Sequence, residues 1–140
     1  MKYQRFAVSL MGTAFLMLLV ASGLAEQVEA APGSTTLTQA VMCEKISDGK
    51  AFNQTVIFSI ERGSAFCLSD FNPVVESGFI YHRWYRRGES IANIKLALHP
   101  PQWSTYSSIR IRESDIGPWR VDITDEDGAV LKTLKFSITR

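Results

Sequence analysis

Short runs in which apolar and polar residues alternate recur along the chain from Ser34 onward, and turn-forming residues separate them. A period of two residues places successive side chains on opposite faces of a strand, and no long run repeats every 3.6 residues as an amphipathic helix does. The pattern therefore predicts an all-β domain. The predicted strands cover residues 38–46, 55–60, 64–69, 78–85, 91–98, 105–112, 119–124 and 129–139.

The spacing of these runs predicts the architecture as well. About seven strands in about 100 residues, with turns between them, are typical of an immunoglobulin-like antiparallel β-sandwich. Strand 91–98 is the predicted partner of strand 78–85, and segments 119–124 and 129–139 are predicted to form a hairpin in which Gly128 takes a positive φ. Asp125 and Asp127 are predicted turn formers, because the twelve-residue spacing of a calcium loop is missing.

Alternation also predicts which side chains enter the core. The core face of strand 78–85 is expected to carry Ile80, His82 and Trp84, and its other face Phe79, Tyr81, Arg83 and Tyr85. In the hairpin the core set is Trp119, Val121 and Ile123, facing Leu134, Phe136 and Ile138 of the return strand. The opposite face, with Arg120, Asp122 and Thr124, is expected to be wet.

The N-terminus has the pattern of an export signal. Lys2 and Arg5 precede an uncharged, Leu-rich and Met-rich stretch over residues 6–25, which begins with Phe6 and ends with Ala25. Cleavage is favoured after Ala30, and the stretch is also long enough to remain as an uncleaved membrane tether. Under either interpretation the domain lies outside the cytoplasm, in the periplasm or another extracytoplasmic space. The predicted organisation is 1–30 signal or anchor helix, 31–36 linker and 37–140 β-sandwich.

Composition narrows the function classes. The chain of 140 residues has 15 Lys and Arg against 14 Asp and Glu, a net charge of +1, so no global field favours nucleic acid. The two histidines and two cysteines show no metal-binding spacing, so neither a metal nor a cofactor is expected. In an oxidising compartment Cys43 and Cys67 are predicted to form a disulfide, the alternative being two buried free thiols.

Several segments carry a family resemblance. In order and spacing, the segments CEKISDGKAF, AFCLSDF, YHRWYRRGE, PQWSTYSS and GPWRVDITDEDGAVLKTLKF over residues 37–138 resemble the bacterial family known as domain of unknown function 2914. One mild departure is Cys67-Leu68-Ser69, where the family usually has Cys-Phe-Thr. The resemblance implies a small β-sandwich of exported or membrane-anchored bacterial proteins, and it implies no activity.

Candidate binding residues cluster around the most aromatic strand. Arg83, Tyr85, Arg86 and Arg87 place three guanidinium groups and one ring within five residues, and Trp103 and Tyr106 add rings from the Pro-rich region. Planar donors and rings suit carboxylate, glycan or protein partners. The alternative, which the pattern favours, is an ordinary wet strand face with Trp103 packed under the loop. Arg86 and Arg87 are expected at an exposed turn. His82 is either a ligand-binding group or a hydrogen-bonded core histidine.

Two functional hypotheses follow. The first is an exported, non-catalytic binding or protein-interaction domain of the bacterial cell envelope, with an envelope protein or glycan as partner. The second is a small periplasmic hydrolase or carbohydrate-active enzyme, which requires a concave site that brings His82 or His99 to a hydroxyl or carboxylate. No nucleophile elbow or distinctive carboxylate pair supports the second, so the sequence favours the first.

Overall fold

The structure, a computed structural model, describes residues 33–140 and is all-β, as the alternating pattern predicts. Two single-turn 3-10 helices, Ile60–Arg62 and Glu113–Asp115, interrupt the strands. There are nine strands in this range: β1 (Leu37–Ser47), β2 (Lys50–Gln54), β3 (Ile57–Ser59), β4 (Ser64–Phe71), β5 (Gly78–Arg86), β6 (Glu89–Leu98), β7 (Trp103–Arg110), β8 (Gly117–Thr124) and β9 (Val130–Thr139). The additional strand is β2, which folds back on β1 after the turn at Asp48 and Gly49.

The strands form two sheets, with orders β2-β1-β4-β7 and β3-β9-β8-β5-β6. The predicted β5–β6 and β8–β9 pairs are both present and antiparallel. The structure differs from an antiparallel arrangement at one place, because β3 pairs in parallel with β9. This happens where the chain leaves β2 in one sheet and enters the other sheet at its edge.

One apolar core joins the two sheets, in a sandwich-like arrangement. The expected core face of β5 is confirmed, because Ile80, His82 and Trp84 are all buried. Trp84 lies edge-on to Phe136 of β9, with ring centroids 5.9 Å apart, and Phe136 in turn stacks on Trp119 at 6.0 Å. Such aromatic pairs add directional stabilisation to the burial of apolar area.

The wet face expected on β8 is only partly present. Arg120 is half-buried, but Asp122 and Thr124 are buried. The reason is position: β8 is the middle strand of five, so longer side chains on β5 and β9 cover its shorter ones. Asp122 accepts hydrogen bonds from the Thr133 hydroxyl (2.8 Å) and from Arg120 Nε (3.3 Å), which compensate the burial of its charge.

The predicted disulfide between Cys43 and Cys67 is wrong, since both residues are buried free thiols. Register explains this result. Cys43 pairs with Phe66 across β1 and β4, whereas Cys67 pairs with Met42, so the two thiol side chains leave opposite faces of the same sheet. Cys67 lies in the core between the sheets, and burial raises its pKa to about 12.

The predicted signal or anchor segment, residues 1–30, and the first two residues of the predicted linker, 31 and 32, lie outside the described residues. Within residues 33–140, no helix is long and apolar enough to cross a membrane.

Candidate functional site

The outer face of the five-stranded sheet carries an ordered group of charged and aromatic side chains. The Arg120 guanidinium lies over the Tyr85 ring, 3.9 Å from its centroid, and Asp122 holds Arg120 through Nε. Since β5 and β8 pair Tyr85 directly with Arg120, both side chains project from the same face. A guanidinium fixed by a ring and a carboxylate has already lost much of the side-chain freedom that a ligand would otherwise have to restrict.

Next to Arg120 lies a cleft of about 410 Å³. Its charged lining residues are Arg87, Arg120 and Lys135, and no Asp or Glu is among the described residues that line it. Val56 and Ile57 form an apolar wall, each with 60% of its surface exposed. Three cations beside apolar surface suit an anionic group that is attached to an apolar one.

Arg87 is positioned by its backbone and by a neighbouring glycine. It has a φ of 48°, its backbone N–H donates to Pro118 O (3.1 Å), and its Nη2 donates to Ile116 O (2.9 Å). A Cβ at Gly117, whose φ is 127°, would lie 3.1 Å from Arg87 Nη2. Glycine at position 117 therefore provides both the backbone conformation and the room for this guanidinium.

A second polar group lies inside the core. His82 Nδ1 is 2.7 Å from Ser107 Oγ, His82 Nε2 is 2.8 Å from Ser69 Oγ, and Trp84 Nε1 donates to Ser107 Oγ (3.0 Å). Ser69 is on β4 and Ser107 on β7, so this network links the two sheets. Burial lowers the pKa of His82 to about 4, and the imidazole is neutral at pH 7.

The hydrogens of this network fit one tautomer best. If Nε2 carries the proton, Trp84 donates to Ser107, Ser107 donates to His82 Nδ1, and His82 Nε2 donates to Ser69. Ser69 then donates to Cys67, whose pKa this bond lowers against the larger effect of burial. In the other tautomer, Nδ1–H of His82 and Nε1–H of Trp84 would both donate to Ser107 Oγ, and the Ser107 hydroxyl hydrogen would lose Nδ1 as its acceptor. We therefore assign the Nε2–H form.

Residues 79–138 match the model of a family described as a protein of unknown function (DUF2914). Over these residues the chain is similar to the DUF2914 family. The match confirms the resemblance from β5 to β9 and leaves out the two cysteine segments. No curated protein matches the chain.

Within the DUF2914 segment, the structure separates the sequence-predicted binding residues. Tyr85 and Arg87 line the cleft. Arg83 lies on the same face as Tyr85 and is 5.5 Å from the Tyr81 ring, but it does not line the cleft. His82 is in the core, as the structural interpretation of this residue predicts.

The expectation that Arg86 is exposed at the turn is wrong. Its Nη1 forms an ion pair with Asp115 Oδ1 at 2.7 Å, and its guanidinium lies 5.9 Å from the Trp119 ring. Arg86 has the same parity as Trp84 along β5, which directs it toward the core side of the sheet. It therefore stabilises the end of the core near the Glu113–Asp115 helix.

Trp103 and Tyr106 lie on β7, in the other sheet. The Trp103 ring contacts His99 edge-on with centroids 4.5 Å apart, and the Tyr106 ring contacts Phe66 at 6.4 Å. Neither belongs to the surface around Tyr85. The Pro-rich segment was expected to bring these rings to the arginines, but strand order places them on the opposite layer.

The sequence did not identify Val56, Ile57, Arg120 or Lys135 as binding residues, although all four line the cleft. Arg120 was placed on the correct face of its hairpin, and Lys135 pairs with it across β8 and β9. The missing information was the β5–β8 pairing, which joins that hairpin to Tyr85. Among the described residues, no three His, Cys, Asp or Glu side chains are arranged to hold a metal ion.

Proposed function

We propose that this protein is a non-catalytic binding module whose ligand-binding surface is the cleft on the outer face of the five-stranded sheet. The observation that carries the proposal is the lining of the cleft. Arg87, Arg120 and Lys135 line it beside exposed Val56 and Ile57, and no carboxylate is among the described lining residues. The favoured ligand carries a carboxylate or another planar anion next to an apolar group.

Arg120 is the central anchor in this proposal. Its Nε bonds to Asp122, and within residues 33–140 its two Nη atoms make no hydrogen bond to protein. These two nitrogens can therefore form a bidentate pair with a carboxylate. Tyr85 holds the guanidinium from one side, so anion binding requires little reorganisation.

The alternative, a small hydrolase, has one geometric feature in its favour. Ser69 and Ser107 are each within hydrogen-bond distance of a His82 nitrogen, as in a nucleophile and base pair. However, His82 and Ser69 are completely buried, and the lowered pKa of His82 makes it a weak base. These properties favour a structural network over a reaction centre, and they support the binding module.

We further propose that the domain is exported and acts in the bacterial cell envelope, as a soluble protein or on an N-terminal tether. The charges before residue 6 and the apolar stretch that follows support this proposal. We also propose an immunoglobulin-like type of sandwich, supported by nine strands in two sheets and by a buried Trp on a strand flanked by two others.

A matched ligand pair tests the binding proposal. We expect N-acetyl-leucine to shift the backbone NMR signals of Ile57, Gly88 and Lys135, and its neutral amide, N-acetyl-leucinamide, to bind at least tenfold more weakly. Arg120→Gln should abolish the difference between the two compounds, whereas Lys50→Gln, an exposed lysine on the other sheet, should preserve it. Equal binding of acid and amide, or shifts away from the cleft, would refute the proposal.

A further inference from the structure

Strand β9 has an uncovered edge over more than half of its length. It has ten residues, but β3 pairs only with Ser137, Ile138 and Thr139. Ser137 N–H donates to Val56 O (2.9 Å), so the backbone groups of Ser137 face the β3 side. Alternation places the N–H and C=O groups of Lys135 and Thr133 on that same side, where the described residues provide no backbone partner.

A groove follows this edge. A hollow of about 830 Å³ lies between residues 35–40 and residues 130–132, and a second of about 400 Å³ lies between residues 40–42, residues 54–56 and residues 134–135. Ala40 lines both hollows, and the second shares Val56 and Lys135 with the cleft. We call this succession the β9 groove. It follows β9 from Val130 to Ser137, eight residues, or about 26 Å of extended chain.

The lining of the β9 groove indicates what it can accept. Val130 and Leu131 are 58% and 43% exposed, and Leu134 is half-buried, so apolar surface faces the groove. Lys132 and Lys135 lie along it, and the cations of the cleft lie at its end. None of the described residues that line its three parts is Asp or Glu. Charge complementarity therefore favours an acidic occupant with apolar side chains.

We propose that the β9 groove binds an extended peptide segment of a partner protein, with alternating apolar and acidic residues, which adds as a strand beside Thr133 and Lys135 in line with β3. An added strand satisfies exposed backbone groups, its apolar side chains cover Leu134, and its carboxylates lie on the opposite face of the sheet, beside Lys135. The proposal rests on the proposed function, because the cleft is the end of the groove and binds the last carboxylate.

The probe is the heptapeptide acetyl-Glu-Val-Glu-Val-Glu-Val-Glu-amide, added to the whole protein. On binding, the amide hydrogens of Thr133 and Lys135 should exchange with solvent at least tenfold more slowly. The amide of Leu134 is the internal control, since it faces β8 and is already in the ladder. Unchanged exchange at Thr133 and Lys135 in the peptide-bound protein would overturn the proposal.

Backbone pairing and charge have separate controls. N-methylation of all Glu residues blocks one edge of the peptide and N-methylation of all Val residues blocks the other, so only one version should still bind. Equal binding of both versions contradicts strand addition. The Lys135→Glu variant should bind at least tenfold more weakly, whereas Lys50→Glu, on the other sheet, should stay within twofold.

Other outcomes distinguish the peptide proposal from the proposed function as a binding module. If N-acetyl-leucine binds the cleft and the heptapeptide does not bind, the peptide proposal fails and the binding module stands; if neither binds, both fail. If, without peptide, the amides of Thr133 and Lys135 exchange more slowly as the protein concentration rises, a second copy of the chain binds the edge and the proposal is overturned. If these amides already exchange slowly in the free monomer, another part of the chain pairs with the edge, and the proposal is overturned as well.

Discussion

Lowering the pH below 6.5 should destabilise this protein through His82. The ordinary pKa of a histidine is 6.5, and burial in the folded protein lowers that of His82 to about 4. Between these values the unfolded chain binds a proton that the folded protein does not bind, so the free energy of unfolding decreases as the pH falls. Above pH 6.5 the imidazole is neutral in both states and contributes no slope.

The two pKa values determine the size of the effect. The difference between 6.5 and about 4 corresponds to about 3 kcal/mol over the whole interval. Between pH 7.5 and pH 5.0 the linkage relation gives a loss of about 2 kcal/mol. Stopping at pH 5.0 limits the contribution of carboxyl groups, whose ordinary pKa values lie near about 4.

Urea unfolding followed by tryptophan fluorescence at several pH values measures this loss. His82→Gln removes the titrating group and should have a nearly flat pH dependence over this interval, at a lower stability at pH 7.5. His99→Gln, which changes an exposed histidine, should retain the slope of the natural protein. If His82→Gln and the natural protein have the same slope, then His82 titrates as in the unfolded chain, and the description of a sealed network is wrong.

Two other predictions concern residues that the structure places differently from the sequence analysis. Arg86→Gln should lower the free energy of unfolding by about 1.5 kcal/mol, because it leaves the Asp115 carboxylate without its 2.7 Å partner. The control Arg110→Gln, at an exposed site, should lower it by less than about 0.5 kcal/mol. Equally small effects of the two variants in urea unfolding would contradict the role of Arg86. Because both thiols are free and buried, a thiol reagent should modify neither Cys43 nor Cys67 in the folded protein. In urea without reductant it should modify both. If neither cysteine reacts in urea, the two form a disulfide and the assignment of free thiols is wrong.

The parts of the fold that could be predicted from the sequence are those that depend on one strand or one hairpin. Period two in β5 correctly separates Trp84 and His82 from Arg83 and Tyr85, since alternation is a local property of the backbone. The same rule places Arg86 with Trp84, but the adjacent turn suggested exposure instead. Arg86 is still in β5, and the turn begins only at Arg87, so alternation determines the side on which Arg86 lies.

The candidate site depends on pairing between strands that are distant in the chain. Tyr85 and Arg120 meet because β5 pairs with β8, across β6 and β7 in sequence, and no local pattern specifies that neighbour. The cysteines show the same difficulty. The sequence predicted a disulfide between them, and only the β1–β4 register shows that their side chains leave opposite faces of the sheet.

The short length of β3 creates the β9 groove, and its two ends have local causes. At the start, the Thr55 hydroxyl accepts from Ile57 N–H (3.1 Å) and donates to Ile57 O (2.9 Å), which forms a bend before the strand. At the end, Ser59 Oγ accepts from Glu61 N–H and caps the Ile60–Arg62 helix. Because β3 runs parallel to β9, only a β3 that began earlier, before Ile57, would cover Lys135 and Thr133. The bend at Thr55 therefore leaves this part of the β9 edge uncovered, at the place where the cations of the cleft begin.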